Sequence, residues 1–347
     1  MYHARFKGTH YEIGLKWGGL LLKNGRSLLE GVPFPITEER ISFSRQCLPF
    51  YQEYYPEVLE EIEGIAKGQK IPSDQLLAVL LGMYCIMPEN KCSCVAFKSE
   101  GHIILARNSD FLTAIEKLYM NCIYKFETSG VETSGKGGLT YSFQGNTTAF
   151  VEMEDGVNEH GLAIGLTSVY PAVLGVGLNA GMLLRYGLER CRTVKEFTEA
   201  LKVLPIASSQ TFTAADQSGD IAVIECNCER ISVERPDGRR GYVSAVNSFH
   251  SEKMQRYVCR DIDDWNAEER YQTIETAFRS DEMRDMEFAE RLLSGCYGFI
   301  CQYDRSTGKD TVWSAVYDLE TLEIRRCEGN PSRKKFRQDT RFLISGQ

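Results

Sequence analysis

The chain has no basic excess, no apolar run long enough to span a bilayer and no apolar signal-peptide core in residues 1–7. It carries 48 Asp and Glu residues against 40 Lys and Arg residues, for a net charge of −8. This acidic balance argues against nucleic acid or an anionic membrane as a partner. We therefore expect a cytoplasmic protein that binds neither nucleic acid nor a membrane. The sequence leaves open whether the chain forms a homo-oligomer.

Internal repeats, low-complexity blocks and C-x-x-C motifs are also absent. The chain has 12 cysteines, and the closest pairs are C-x-C, at Cys92/Cys94 and Cys226/Cys228. On a strand, the two thiols of such a pair share one face, where buried cysteine behaves as a small hydrophobic residue. A zinc site needs four ligands at suitable spacing, which the sequence does not supply. We predict free, mostly buried thiols, no metal and no cofactor.

Helices and strands occur in separate runs along the sequence. Residues 1–91 are mainly helical, and strands dominate afterwards. The predicted strands are residues 92–97, 103–111, 118–126, 139–143, 150–153, 162–168, 212–216, 221–226, 230–233, 242–249, 311–318 and 323–326. Further predictions are helices at 181–204 and 261–293, turns at 128–138 and 155–161, and a polar, basic tail at 329–347. Such runs favour a layered α+β fold over a doubly wound parallel sheet.

The most informative stretch is a predicted hairpin of residues 92–97 and 103–111, joined by a polar loop that contains Gly101. A hairpin brings its outer ends together, so Cys92 should lie near Arg107, Asn108 and Asp110. A nearby cation stabilises a thiolate, and a carboxylate can orient a proton carrier. The group is therefore a candidate reactive site, although Arg107 and Asp110 could also form only a structural ion pair.

The hairpin resembles the active-site strands of cysteine N-terminal-nucleophile (Ntn) hydrolases. The similar family is the penicillin acyltransferase-like, or linear amide C–N hydrolase, family (peptidase family C45), which is related to the choloylglycine hydrolases. Cys92 is followed by Ser93, and Asn108 and Asp110 stand 16 and 18 residues after Cys92, which is the acyltransferase-type spacing. Counted from Cys94, the offsets do not match. Further similar motifs are residues 8–14, 55–66, 155–162, 215–225, 246–249, 313–318 and 329–331.

The resemblance implies a four-layer αββα sandwich. It also implies a helical pro-segment, residues 1–91, that stays associated with a catalytic domain, residues 92–347. In this family the precursor cuts itself before the nucleophilic cysteine, here between Lys91 and Cys92. Lys91 replaces a glycine that often precedes the cleaved bond, and its bulk is expected to slow the self-cleavage.

The same resemblance implies a role for each site residue. Cys92 would form a thioester with the substrate acyl group, and its freed α-amine would accept the thiol proton. Asp110 would hold that amine, Arg107 would stabilise the thiolate or bind substrate, and Asn247 would donate to the oxyanion. The remaining candidates are Thr167 or Ser168 as a second polar group, and Arg270 as a support for the cysteine, with Arg256 as a competing match.

Three hypotheses follow for the function. The first is hydrolysis of a linear amide, and the second is acyl transfer from an acyl-coenzyme A or other thioester donor to an amine. A third, of another class, is an unprocessed binding protein that keeps the fold with Cys92 inside the chain.

Overall fold

The computed structural model describes residues 1–86, 91–127, 140–237 and 241–344. The predicted loop at 128–138 lies outside these residues. The helices are α1 His10–Lys23, α2 Glu38–Tyr54, α3 Pro56–Gln69, α4 Ser73–Leu81, α5 Ala180–Arg190, α6 Val194–Val203, α7 Ala267–Ala277 and α8 Met286–Leu293. Among the described residues, no helix combines the length and apolar character needed to cross a bilayer.

The strands form two sheets. They are β1 Tyr2–Gly8, β2 Lys91–Ser99, β3 His102–Leu112, β4 Met120–Phe126, β5 Phe143–Thr147, β6 Asp155–Asn158, β7 Ala163–Ser168, β8 Gln210–Ala215, β9 Ile221–Cys226, β10 Ile231–Glu234, β11 Tyr242–Ala245, β12 Lys309–Asp318, β13 Glu323–Cys327 and β14 Arg337–Gln338. The first sheet has the order β1-β4-β5-β6-β7-β8-β9-β10, and the second has the order β11-β2-β3-β12-β13-β14. Only the β1–β4 pair is parallel among these described strand pairs.

The two sheets pack face to face around a shared apolar core that includes Leu105 on the second sheet and Val157 on the first. The outer face of the first sheet packs against the helices of the N-terminal part, α1 to α4, together with α5 and α6. The outer face of the second sheet packs against α7 and α8, for example through Phe288. Because each sheet buries one face on the other and one face on helices, the chain has four layers, and the predicted α+β, αββα fold is confirmed.

Strand β1 connects the N-terminal part to the rest of the chain, because it adds to the edge of the first sheet next to β4. Within the N-terminal part, α1 and α3 pack closely against each other. A Cβ atom at Gly14 would lie 2.1 Å from the Glu61 carbonyl oxygen, and one at Gly64 would lie 2.3 Å from the Tyr11 carbonyl oxygen. Gly14 and Gly64 therefore permit this close crossing.

Several secondary-structure predictions are wrong in position or type. The single helix predicted at 261–293 is two helices, α7 and α8, separated by residues 278–285. Residues 150–153 form a turn rather than a strand, and Phe150 adopts a positive φ of 59°. Residues 155–158 are strand β6 rather than a turn, because they pair on both sides with β5 and β7. The strand placed at 139–143 lies at Phe143–Thr147 instead. The supposed tail contains β14, and it buries Phe342 and Ile344 in the core between the sheets.

Candidate active site

The site lies at the open end of the β2–β3 hairpin. The strand register pairs Cys92 with Ser109 and Cys94 with Arg107. Directly paired residues share a face of the sheet, and so do residues two apart along a strand. All four side chains therefore face the space between the two sheets. The diagonal pair makes direct contact, with Arg107 Nη2 lying 2.7 Å from Cys92 Sγ.

Arg107 is fully buried and is held by the first sheet. Its Nη1 donates to Asp155 Oδ2 at 2.9 Å, and its Nη2 lies 3.3 Å from Glu154 Oε2. Its Nε donates to the Leu166 carbonyl oxygen at 2.9 Å. Despite the burial, Cys92 and these two carboxylates hold the pKa of Arg107 above its ordinary value. The guanidinium is thus a permanent charge at the sulfur.

Glu154 and Asp155 are the site residues that the sequence interpretation missed. Asp155 also accepts hydrogen bonds from Trp313 Nε1 at 2.8 Å and from the Tyr317 hydroxyl at 2.6 Å. Glu154 accepts one from Ser109 Oγ at 3.1 Å. The motif at residues 155–162 was the available signal, but it was interpreted as a turn. Asp155, the first residue of this motif, instead lies on the central strand β6 and faces the second sheet.

The opposite face of the hairpin contacts Arg270, which lies in α7 and is fully buried. Arg270 Nη1 donates to the Cys92 carbonyl oxygen and, at 3.0 Å, to Ser93 Oγ. Its Nη2 donates to Asn247 Oδ1 at 3.0 Å. The competing residue Arg256 is exposed and pairs with Glu229 instead. The structure therefore places Arg270, and not Arg256, beside the cysteine.

Asn247 contacts the backbone of Cys92. Its Oδ1 accepts from Cys92 N at 2.8 Å as well as from Arg270, and its Nδ2 donates to the Ser168 carbonyl oxygen at 2.8 Å. Because both neighbours of Oδ1 are donors, the amide can take only this orientation. In the intact chain the Asn247 NH2 group therefore binds a backbone carbonyl, and its donation to an oxyanion stays a prediction.

Thr167 and Ser168 are both buried at the end of β7. Ser168 contributes its carbonyl oxygen to Asn247. The Thr167 hydroxyl instead donates to the Thr211 carbonyl oxygen on β8, at 3.5 Å. The structure thus connects Ser168 to the site through its backbone. A role for either side chain stays a prediction.

Asp110 is paired with Lys91 in the strand register, next to the bond expected to be cut. Its carboxylate accepts from the Tyr303 hydroxyl at 3.0 Å and from Thr311 Oγ1, and it lies 3.8 Å from Arg270 Nη1. Burial raises the pKa of Asp110 to about 6, although Arg270 and these hydrogen bonds oppose the shift. This carboxyl therefore changes charge just below neutral pH.

Asn108 faces away from the thiol. Its Nδ2 donates to the Leu293 carbonyl oxygen at 3.0 Å, and its Oδ1 accepts from Ser314 Oγ at 2.6 Å. These contacts attach β3 to α8 and to β12. Asn108 is thus placed to support the hairpin rather than to contact the sulfur.

The Cys92 thiol is fully buried in the intact chain. Burial raises its pKa to about 12, although Arg107 opposes the shift. In the intact chain, desolvation outweighs the attraction of the Arg107 cation for a thiolate. Stabilisation of the Cys92 thiolate by Arg107 in a processed enzyme stays a prediction. Burial also raises the pKa of Cys94 to about 12, so what distinguishes Cys92 is its direct contact with Arg107.

Tyr84, from the N-terminal part, lies near the same group of charged residues. Its side chain is buried, its backbone φ is +59°, and its ring packs against the α5 backbone at Gly181. Burial and the nearby Glu154 carboxylate raise the pKa of its phenol well above the ordinary value. The N-terminal part thus reaches the same charged group that holds Arg107.

Among the described residues, no group of three or more His, Cys, Asp or Glu side chains is arranged to hold a metal ion. The Cys92 thiol is surrounded by two buried guanidinium groups, three carboxyl groups and the Asn247 amide.

Comparison with known proteins gives one family match. Residues 97–333, more than half of the chain, match the sequence profile of the family described as acyl-coenzyme A:6-aminopenicillanic acid acyl-transferase. The matched range includes Arg107, Asp110, Asn247 and Arg270, and it begins just after Cys92. No curated protein matches the chain significantly.

The chain is also similar to several solved structures. A single-residue variant of a conjugated bile acid hydrolase from Clostridium perfringens is 14% identical, with a TM-score of 0.47, over 74% of this chain and 99% of that one. A Caenorhabditis elegans N-acylethanolamine-hydrolyzing acid amidase is 16% identical, with a TM-score of 0.44, over 66% and 93%. Penicillin V acylase from Agrobacterium tumefaciens is 17% identical, with a TM-score of 0.45, over 68% and 82%.

Proposed function

This chain belongs to the acyl-coenzyme A:6-aminopenicillanic acid acyl-transferase family, and we propose that it is a self-processing Ntn enzyme that cleaves or transfers the acyl group of a linear amide through a Cys92 thioester. Family membership supports an acyl-amide hydrolase or acyltransferase in general. The observation that carries the specific proposal is the contact set of Cys92. Arg107 lies at its sulfur, Asn247 at its nitrogen and Arg270 at its carbonyl oxygen.

Self-cleavage is the first step that we propose. Cys92 Sγ attacks the carbonyl carbon of Lys91, and the thiol proton passes to the Cys92 nitrogen as the C–N bond breaks. Water then hydrolyses the resulting thioester, which leaves a carboxylate on Lys91 and a free α-amine on Cys92. Asn247 Oδ1 already accepts from that nitrogen, so it is placed to hold the amine once it forms.

Turnover uses the same sulfur with the new amine as its base. A free α-amine has a pKa of roughly 7.7–8.0, so near neutral pH a substantial fraction is unprotonated and can accept the thiol proton. The thiolate attacks the amide carbonyl of the substrate, the amine product leaves with the proton, and a thioester remains on Cys92. Water resolves the thioester in hydrolysis, and a second amine resolves it in acyl transfer.

The surrounding charges fit these steps. Arg107 carries a fixed positive charge at the sulfur, where negative charge forms during attack. Asp110 and Arg270 lie on the other side of Cys92, where an ionised Asp110 would favour the protonated amine. Thr167, Ser168 and the Asn247 NH2 group remain the candidates for contact with the substrate oxyanion.

Hydrolysis and acyl transfer share the acyl-enzyme, so product analysis must separate them. Purified protein would be incubated with a panel of N-acyl amino acids and acylated amines, with and without an added amine acceptor. Free acid as the main product in both conditions supports hydrolysis, and a new amide formed only with the acceptor supports transfer. A covalent acyl mass on the peptide that begins at Cys92, absent from Cys92→Ala, supports the thioester.

The binding-protein alternative has its own outcome in this experiment. If Cys92 stays in an ordinary peptide bond and no substrate of the panel acylates it, the proposed enzyme activity is wrong. Ligand-induced stabilisation of the intact chain would then favour a binding protein.

A further inference from the structure

A second charged region lies at the edge of the sandwich, away from Cys92. It is a cleft of about 1080 Å³ between the β13–β14 edge of the second sheet and the start of β1. The strand register runs from Cys94 through Arg107 and Ala315 to Arg326 on β13. Three strand spacings separate β2 from β13, roughly 14 Å, so the cleft is distinct from the site at Cys92.

The cleft is strongly cationic in a protein whose net charge is −8. The cationic side chains of its wall are Arg326, Lys334, Lys335, Arg337 and Arg341. Its acidic side chains are Glu328 and Asp339. Burial raises the pKa of Asp339, but contacts with Arg341 and Arg326 more than offset that effect and leave the pKa below its ordinary value. Asp339 is therefore an anion already engaged by arginines.

Arg326 is the unusual member of this group. It is 5% exposed, and its Nη1 pairs with Asp339 Oδ2 at 2.6 Å. Its Nε and Nη2 are buried without a hydrogen-bond partner among the described residues. A buried charged donor without a partner is costly, and such groups are rare in native proteins. The guanidinium therefore has unused capacity for an anion.

We propose that this cleft binds a small molecule that carries at least two phosphate groups, with Arg326 as the central ligand. Guanidinium groups bind phosphate oxygens through paired, charge-assisted hydrogen bonds. Arg341 does not supply these bonds, because its guanidinium is engaged by Asp339, Asn121 and His3. Lys334, Lys335 and Arg337 are exposed and supply the additional positive charge. The volume exceeds what a single phosphate ion needs and suits a nucleotide-sized ligand.

Calorimetric titration of the purified full chain tests the proposal, with pyrophosphate, ADP and coenzyme A as separate probes. We expect saturable binding of pyrophosphate that weakens as NaCl rises. Tighter binding of ADP or coenzyme A than of pyrophosphate would show that the cleft also binds the non-phosphate part of that ligand. The tighter of the two would identify the ligand type that the cleft prefers. Cys92→Ala should bind as the wild type does, since the cleft does not use the thiol.

Arg326→Gln should weaken binding roughly tenfold or more, because it removes a charge-assisted donor. Arg325→Gln is the matched control: this neighbour on the same strand pairs with Glu290 and Glu323 instead of lining the cleft, and its variant should bind normally. If Arg326→Gln fails to fold, Lys335→Gln/Arg337→Gln at exposed positions should also weaken binding. Absence of saturable binding by the wild type, or equal affinity in the cleft variants and the Arg325→Gln control, would overturn the proposal.

Discussion

The two faces of the β2–β3 hairpin contact different parts of Cys92. On the face between the sheets, Arg107 touches the sulfur and is held by Glu154 and Asp155. On the face toward α7, Arg270 and Asn247 bind the backbone oxygen and nitrogen of the same residue. The nucleophile and the bond to be cut are therefore positioned by separate groups of residues.

The two faces also differ in electrostatic balance. Arg107 has two buried carboxylates within 3.3 Å, whereas Arg270 has one, Asp110, at 3.8 Å. Burial raises the pKa of Asp110 to about 6, so this carboxyl can become neutral when its partner is lost. We infer that the sulfur face depends on a fixed charge for stability, and that the backbone face can adjust its charge with pH.

The largest effect is expected from removal of the sulfur. Cys92→Ala should abolish self-cleavage and acylation together, because both faces then lack the nucleophile that they position. Cys94→Ala is the matched control, since Cys94 is equally buried on the same strand face. Intact-mass analysis of both variants checks this. Cleavage that persists in Cys92→Ala, or is lost equally in Cys94→Ala, would assign the nucleophile elsewhere.

Substitution of Arg107 and of Arg270 should affect the protein differently, because the two residues lie on opposite faces of the β2–β3 hairpin. Arg107→Met leaves Glu154 and Asp155 buried without their cation and should destabilise the protein by about 3–5 kcal/mol. Arg270→Met should cost less stability, because Asp110 keeps its bonds to Tyr303 and Thr311 and can take up a proton. It should nevertheless slow self-cleavage strongly.

Urea unfolding and the rate of self-cleavage, measured for both variants, test this contrast. Arg256→Ala is the control for Arg270 and should match the wild type in both measurements, since Arg256 is exposed. Equal loss of stability in Arg107→Met and Arg270→Met would contradict the difference between the faces.

Asn247→Ala should lower kcat, once a substrate is known, by roughly 10²–10³, the loss typical of an oxyanion donor, and it should also slow self-cleavage. It also removes the acceptor of the Cys92 N–H group. Asn247→Asp keeps an acceptor there but places an anion beside the reaction, so it should be at least as damaging. Near-normal rates in both folded variants would assign Asn247 to structure.

The effect of pH on the self-cleavage rate should be smaller than the effects of these substitutions, and it should depend on Asp110. Self-cleavage should fall below pH about 6, by up to roughly tenfold per pH unit, as Asp110 loses its charge. Asp110→Asn should remove this step from the profile. Rates measured from pH 4.5 to 8 in both proteins, at pH values where each remains folded by circular dichroism, check the prediction.

The contribution of Asp110 to folding stability should change with pH in the opposite direction from the self-cleavage rate. Its folded pKa lies above its unfolded value, so its contribution to stability is fully present below the unfolded pKa and is lost as pH rises through about 6. In the wild type, stability relative to Asp110→Asn should therefore decrease between pH about 4 and about 6. An unchanged difference across that range would show that the carboxyl is not raised in pKa.

The sequence predicted the hairpin and the proximity of Cys92 to Arg107, because both depend on local strand pairing. It did not predict the carboxylates that hold Arg107, because these come from the facing sheet, more than forty residues away along the chain. The orientation of the Asn247 amide could not be predicted either. It depends on donors from β2 and α7 that meet only in the folded protein.

Self-cleavage is the central claim, and intact-protein mass spectrometry tests it most directly. Freshly purified and aged wild-type protein should show two polypeptides, residues 1–91 and 92–347, that co-elute under native conditions. The larger chain should react with a reagent specific for N-terminal cysteine, and Cys92→Ala should give only the full-length mass. A single wild-type chain in both samples, with Cys92 unreactive toward that reagent, would contradict the account.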